Sequence, residues 1–392
     1  VTTPAPAPTF FLVAAEESGD RLGADLMRAL RARLGDDVRF EGLGGRGMAE
    51  QGLRSLFAIE QLSIVGLGGI VSRLPTLLRL IRQAADAAVQ SPARMLIIID
   101  SPEFSQRVAR QVRRKRPAMP IVNYVSPSVW AWRQGRARAM RPYIDHILAL
   151  LPFEPEALRR LGGPPTTYVG HPLRAQLAEL RPSPAEQERR GSAPPLLVVL
   201  PGSRGSEVRR HMPIFGETLA RLAARGVDFE LVLPTVPHLE EAVRNEARNW
   251  SVAARIVCGD ADKRAAFRCA RAALAKSGTV TLELALAGIP MVAAYRMGWL
   301  EGKVARLLVK GQSAILANLV LGENVVAEYL LDDCTADNLT PALLEVLREG
   351  PARQRQLDAF ATLDRVMATG SSTPSERAAD VVLEVLKQKG GA

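Results

Sequence analysis

The apolar residues of this chain fall into short unbroken blocks, not into alternation. Thr9–Ala15 reads TFFLVAA. It runs into EESGDRLGADLMRALRARLG, where Leu22, Leu26, Leu30 and Leu34 mark one stripe of a helix. Ser18 or Asp20 can cap that helix. RMLIIID (94–100) predicts a second buried strand, EFSQRVARQVRRK a helix with a basic outer face, and PIVNYV (120–125) and HILALL (146–151) two more strands. The scheme then restarts at LLVVL (196–200), followed by a glycine turn and a helical pattern. FELVLPT and ARIVCG read as strands, AALAKSG as a strand into a turn, TVTLELALAG as a helix, and PMVAAYR as a strand. Apolar strands separated by helices predict parallel sheets covered on both faces.

The predicted fold class is therefore α/β, with two Rossmann-like, doubly wound domains. RPSPAEQERRGSAPP (181–195) is a break in composition between the halves. Ligands of such sheets bind at the carboxyl ends of the strands, and tandem domains imply a cleft between them. The last helix, PSERAADVVLEVLKQKGG, is amphipathic and can pack on either domain.

Composition agrees with this picture. A chain of 392 residues suggests about two domains, and 47% apolar residues with 5% aromatics fits an α/β enzyme. Cys258, Cys269 and Cys334 form no CxxC pair, and the four histidines form no HxxxH pattern, so a reducing compartment and no metal are expected. The net charge of +10 admits nucleic acid, an anionic lipid surface or phosphorylated small molecules as partners. VTTPAPAPTF reads as a disordered Pro/Ala leader and not as a signal peptide. LSIVGLGGIVSRLPTLLRLI (62–81) is interrupted by Arg73, Pro75 and Arg79. It is expected to lie against a membrane surface and not to span one.

Chemistry gathers at the ends of the apolar blocks. In LPGSRGSE, Gly202, Ser203 and Arg204 end a strand where a helix begins. That arrangement fits either an anion site or a tight turn with a surface arginine. KSGTVTLE repeats it with Ser277, Gly278 and Thr279. Glu283 is placed either to meet a ribose diol or to stabilise the helix dipole. In IIIDSPEF, Asp100 stands at a strand tip as either a general base or a helix cap. Ser18 and Gly19 open the first helix. Trp130, Trp132 and Arg133 follow the Pro127 loop, where the tryptophans can stack on a sugar, line an acyl groove or pack as core. GLGGRGM (42–48) lacks a convincing strand before it, so no dinucleotide fingerprint is expected there.

Together the strings ESGD, DSPEF, YVSPSVWAWR, LPFE, GHPL, LPGSRGSE and SGTVTLE make the chain resemble the lipid-A-disaccharide synthase family over about residues 10–386. The resemblance implies a GT-B fold. Its expected domains are an acceptor-side domain over 8–180, with 350–392 packing back on it, and a UDP-sugar domain over 195–349. It implies inverting transfer from UDP-2,3-diacylglucosamine to 2,3-diacylglucosamine 1-phosphate, giving a β-1,6 linkage and UDP. The expected setting is the cytoplasmic face of the inner membrane, with peripheral contact and a homodimer allowed. Asp100 matches the family's essential aspartate. Gly202, Ser203 and Arg204 match the UDP turn, and Ser277, Gly278, Thr279 and Glu283 match the second nucleotide contact. Asn318 and Glu328 match positions near the nucleotide, and Ser18 and Gly19 the turn near the reacting centre.

The chain departs from the family pattern in places. It reads AAEESGD for AGExSGD, Leu316-Ala317-Asn318 for LPN, Leu331 where a glutamine is expected, and Gly69 where a glutamate is common. No DxD pair flanks the phosphate turns, so no metal or other cofactor is expected. The competing readings are a UDP-GlcNAc epimerase or peptidoglycan transferase of the same fold, and an RNA-binding module. Aromatics are few and no RNA-binding motif appears, so nucleic acid is not the expected partner.

Overall fold

A computed structural model of the chain describes residues 8–62, 70–130, 133–298 and 313–389. Two compact units divide it, Val1–Pro172 with Thr369–Ala392 and Leu173–Ala368.

In the first unit, β1 (Thr9–Ala14), β2 (Arg39–Leu43), β3 (Arg54–Ser55), β4 (Met95–Ile99), β5 (Ile121–Tyr124), β6 (His146–Ala149) and β7 (Thr166–Tyr168) form one parallel sheet. Their order is β3-β2-β1-β4-β5-β6-β7. Successive side chains of a strand face opposite sides, which is why the apolar blocks show no alternation. Phe11, Val13, Leu96 and Ile98 pack under the helices Ile70–Gln90 and Pro102–Lys115. Phe10, Leu12, Ala14, Ile97 and Ile99 pack under Leu26 and Leu30 of the helix Glu17–Leu34 and Val382 of the helix Pro374–Lys389. Each large side chain fully buried this way contributes roughly 1.5–3 kcal/mol.

Two expectations change here. GLGGRGM does follow a strand, β2, whose Arg39 and Glu41 disguise its apolar content. Asp20 is not the cap of its own helix. It lies in that helix's first turn and reaches across to the next one, accepting from the N–H groups of Gly45 at 2.7 Å, Gly47 at 2.7 Å and Met48 at 3.0 Å.

In the second unit, β8 (Leu196–Leu200), β9 (Glu230–Thr235), β10 (Arg255–Cys258), β11 (Ala272–Lys276), β12 (Met291–Tyr295) and β13 (Ala327–Leu330) form a second parallel sheet. The order is β10-β9-β8-β11-β12-β13. Leu197, Val199, Leu231 and Leu233 meet Val208, Phe215 and Leu219 of the helix Gly205–Ala224.

The boundaries differ from those the sequence suggests. Residues 184–191 are no linker: they form a helix opened by a Ser183/Glu186 capping box. Its Arg190 is buried and donates to the carbonyls of Phe267, Arg268, Ala287 and Gly288, at the C-terminal ends of two helices. Burial lowers the Arg190 guanidinium pKa to about 10, so it stays charged at neutral pH. Residues 350–368 likewise belong to the second unit and do not return to the first. Arg353 donates to Arg271 O and Val346 O, and Gln356 bridges both backbone groups of Met291. Only the chain from Thr369 onward packs on the first sheet.

No helix among the described residues is long and apolar enough to cross a membrane. Part of the 62–81 segment, Gly69 included, lies outside the described residues, as does the 1–7 leader. Within the helix Ile70–Gln90, Leu74 and Leu78 stand one turn apart and are 43% and 44% exposed.

Candidate active site

Each sheet reverses its winding once, between β1 and β4 in the first unit and between β8 and β11 in the second. Such a switch point opens a crevice at the carboxyl ends of the strands. The chemistry-bearing strings fall at these two places.

At the first switch point, Ala14 pairs with Ile99, so β1 and β4 end side by side. Asp100 and Ser101 follow at φ 52 and 44, two successive left-handed residues without glycine's freedom. Their backbone is pinned. Asp100 N–H donates to Tyr124 O at 3.0 Å, and the Ser105 hydroxyl donates to the carbonyls of both Asp100 and Ser101. The Asp100 carboxylate accepts from Ser101 N–H at 2.8 Å and, at 3.4 Å, from the Ser18 hydroxyl. Ser101 Oγ donates to Glu16 at 2.6 Å. Partial burial raises the Asp100 pKa, the nearby Glu16 charge adds to the rise, and the Ser101 and Ser18 donors oppose it. A half-buried carboxyl with raised basicity is suited to accept a proton. Asp100 does not cap the next helix: Ser101 holds that position and makes no side-chain cap bond. Gly19 packs closely, and a Cβ there would stand 3.2 Å from Ile99 O.

Val125, at the adjacent tip of β5, has φ 77, and Arg133 and Leu331 have φ 53 and 57. Four of the five non-glycine residues with positive φ among those described, Asp100, Ser101, Val125 and Leu331, thus follow the carboxyl ends of strands directly, and strained backbone of this kind clusters at functional sites. In the loop after β5, the Trp130 indole N–H donates to Glu154 at 3.3 Å, and its ring meets Phe153 edge-on at 5.1 Å. Glu154 also accepts from Leu151 N–H at 2.9 Å. Trp130 is thereby braced by the LPFE string and half-buried, part packing and part surface. Arg133 is exposed, and Trp132 lies outside the described residues.

At the second switch point, Leu200 pairs with Ala275, which sets the two glycine turns beside each other. Gly202 has φ 133, and a Cβ there would lie 2.5 Å from Glu207 Oε2. Glu207 is buried and accepts from Ser203 N–H at 3.1 Å, while Lys276 Nζ stands 3.0 Å from its other oxygen. Burial works against its ionisation, but Lys276 and Ser203 outweigh that, and its pKa is lowered. Arg204, with an 80% exposed side chain, stands 3.7 Å from Glu207 and extends into solvent. His211 is fully buried beneath. Its Nε2 accepts from Arg296 N–H at 3.0 Å, so its Nδ1 carries the proton donated to Glu207 O at 2.8 Å. Burial, first of all, lowers its pKa, in keeping with a neutral ring.

The second string differs in detail from its sequence reading. Thr279 stands at the helix start but makes no side-chain cap bond, and it is exposed. Ser277 Oγ donates to Ala314 O at 3.0 Å. Glu283 is paired with Lys263 at 3.0 Å. Asn318 is held inside the fold. It is 1% exposed, its oxygen accepts from Val325 and Val326 N–H, and its nitrogen donates to Val326 O and Glu328. These bonds brace Glu328. Glu328 in turn holds Ser313 and Ala314. The residues that sequence reasoning passed over are Glu16, Glu207, Lys276 and Glu154. All four sit inside or beside strings already singled out, but only pairing across strands reveals their partners.

Solved structures with 11–12% identity share this architecture. The S. aureus MnaA–UDP co-structure matches with TM-score 0.64 over 97% of both chains. A putative UDP-N-acetylglucosamine 2-epimerase from Listeria monocytogenes matches with TM-score 0.61 over 97% of this chain and 95% of that one. Two doubly wound parallel sheets matched over this length define a protein of the GT-B class. At higher similarity, the lipid-A-disaccharide synthase of Rhodopseudomonas palustris strain HaA2 is 64% identical, covering 96% of each chain. That of Bradyrhizobium diazoefficiens is 59% identical over 98% of each. The family model for lipid-A-disaccharide synthetase (LpxB) matches residues 10–382. The chain belongs to that family and is a glycosyltransferase.

Proposed function

We propose that the chain transfers 2,3-diacylglucosamine from its UDP ester to the 6-hydroxyl of 2,3-diacylglucosamine 1-phosphate. The β-1,6 disaccharide 1-phosphate forms with inversion, and UDP leaves. Membership of the lipid-A-disaccharide synthase family carries the substrates of this reading, and Asp100, held by a left-handed backbone at the β4 tip with a raised carboxyl pKa, supports its chemistry. In an inverting transfer one base takes the hydroxyl proton as that oxygen attacks the anomeric carbon, and the carbon–oxygen bond to the diphosphate breaks. Asp100 is that base, and Ser18 and Ser101 orient its carboxylate.

The negative charge that grows on departing UDP calls for fixed donors and cations. Gly202, Ser203 and Arg204 supply them, with Ser277, Gly278 and Thr279 on the neighbouring strand. Glu283 and Glu328 shape the surroundings of the nucleotide. Trp130, Trp132 and Arg133 belong to the acceptor side. The exposed Leu74 and Leu78, together with the +10 charge, support peripheral contact with an anionic membrane face. A homodimer belongs to the same reading and is tested by sedimentation.

The deciding experiment incubates the purified chain with both diacylated sugars and weighs the product by mass spectrometry while UDP is followed. A disaccharide 1-phosphate with stoichiometric UDP is expected. Equal UDP release from soluble UDP-GlcNAc would defeat the lipid assignment.

A further inference from the structure

The second switch point holds a lysine that none of the roles above includes. Lys276 is the last residue of β11, beside the tip of β8. Its Nζ lies 3.0 Å from Glu207 Oε1 and 5.1 Å from the centre of the Tyr295 ring. A Cβ added to Gly278 would stand 3.3 Å from that nitrogen and, within 4 Å among the described residues, would meet nothing else. The ammonium therefore sits at the junction of the two glycine turns, and apart from the chain neighbours of Gly278 the described residues leave its Gly278 side open. Its side chain is 18% exposed. An ammonium carries three donors, and the Glu207 contact uses one.

Glu207 organises this junction. One oxygen holds Ser203 N–H, which fixes the turn after β8, and the other holds Lys276, which belongs to the turn after β11. A single buried carboxylate thus couples the two halves of the switch point. With Arg204 also near it, the cluster carries two cations and one anion. A pair made only for stability would end in neutrality. This one leaves a net positive charge where the Ser203 turn opens.

We propose that Lys276 is a further diphosphate-binding cation, positioned by Glu207. The inference rests on the reading that the Gly202–Arg204 turn takes the diphosphate of UDP. In it, Lys276 keeps its bond to Glu207 and turns its remaining donors to a phosphate oxygen across the Gly278 gap.

The test compares the affinities of the whole chain for UDP, UMP and uridine by titration calorimetry, with uridine measured by competition. Lys276→Met keeps the stem and removes the charge. It is expected to raise the Kd for UDP about tenfold to a hundredfold, the scale of a charge-assisted hydrogen bond, and to leave uridine unchanged. Lys276→Arg is expected to keep UDP affinity within about threefold, since it restores the cation. It also serves as the folded control should Lys276→Met fail to fold, in which case Lys276→Gln takes its place. Glu207→Gln is expected to weaken UDP but not uridine, by less than Lys276→Met does. Equal losses for UDP and uridine would assign the lysine a purely structural role and overturn the proposal. Unchanged UDP affinity in Lys276→Met overturns it as well, with the nucleotide reading intact. Failure of the unaltered chain to bind UDP removes both readings together.

Discussion

The two switch points carry carboxylates in opposite electrical states. Asp100 has a raised pKa; Glu207, 6% exposed, has a lowered one. Burial opposes ionisation in both. The difference lies in the partners. Asp100 faces another acid, Glu16, with a backbone N–H and a hydroxyl as donors, whereas Glu207 faces an ammonium besides its backbone N–H. In the proposed reading, the same strand–turn–helix geometry accepts a proton in one unit and an anion in the other. Burial sets the direction at Asp100, and the cation beside Glu207 reverses it there.

Asp100→Asn breaks the first half of this contrast most strongly. It removes the proton acceptor and keeps the shape, so turnover is expected to fall at least about a hundredfold, with UDP affinity unchanged. The same substitution should stabilise the fold. A carboxyl with a raised folded pKa binds its proton more tightly folded than unfolded. Its ionisation therefore costs stability, absent below the usual carboxyl range and complete above the raised value. Asparagine carries no such cost and tolerates the left-handed backbone well. The melting temperature at pH 7.5 is expected to rise by roughly 1–3 °C. Near-normal turnover would take the base role from Asp100, and a lower melting temperature would show that its carboxylate is not the strained partner described here.

Arg204→Ala sharpens the second half. Its side chain is 80% exposed and its Glu207 contact is long, so little of the fold depends on it. UDP affinity is expected to drop about tenfold or more, with the melting temperature unchanged. Calorimetry and a thermal scan on one sample check both. A stability loss without an affinity loss would make it an ordinary surface arginine.

The sequence displayed the strand tips better than their neighbours. Blocks such as LLVVL and MLIII are buried on both faces, so composition alone marks them. β2 and β13 were missed because RFEGL and AEYL carry charges into short, partly exposed strands. The domain boundary was misread for a related reason. ERRG looks like a solvated linker, but Arg190 is valuable to the fold only through four carbonyls about 77 to 98 residues away. Asn318 was legible as a special residue, though not as one whose bonds all close locally. Patterns along the chain expose periodicity and turns, whereas ion pairs such as Lys276–Glu207 exist only after β8 and β11 are neighbours.

Glu154 extends the comparison to a carboxyl that, among the described residues, has donors and no cation. It is 3% exposed and accepts from Trp130 and Leu151, and burial still raises its pKa to about 7. Neutral donors therefore offset only part of the cost of burial. The folded pKa lies above the unfolded one, about 4.3, so the folded state binds the extra proton between these values. Stability credited to this group is full below the unfolded value, falls as pH rises toward about 7, and is level beyond it. Within that window the slope is on the order of 1 kcal/mol per pH unit. Glu154→Gln cannot titrate. Relative to it, the unaltered protein should lose a few degrees of melting temperature from pH 5 to pH 7 and none from pH 7.5 to pH 9. A difference that stays flat across the whole range would mean that an unseen positive charge or water already compensates Glu154, which would move it from Asp100's side of the comparison to that of Glu207.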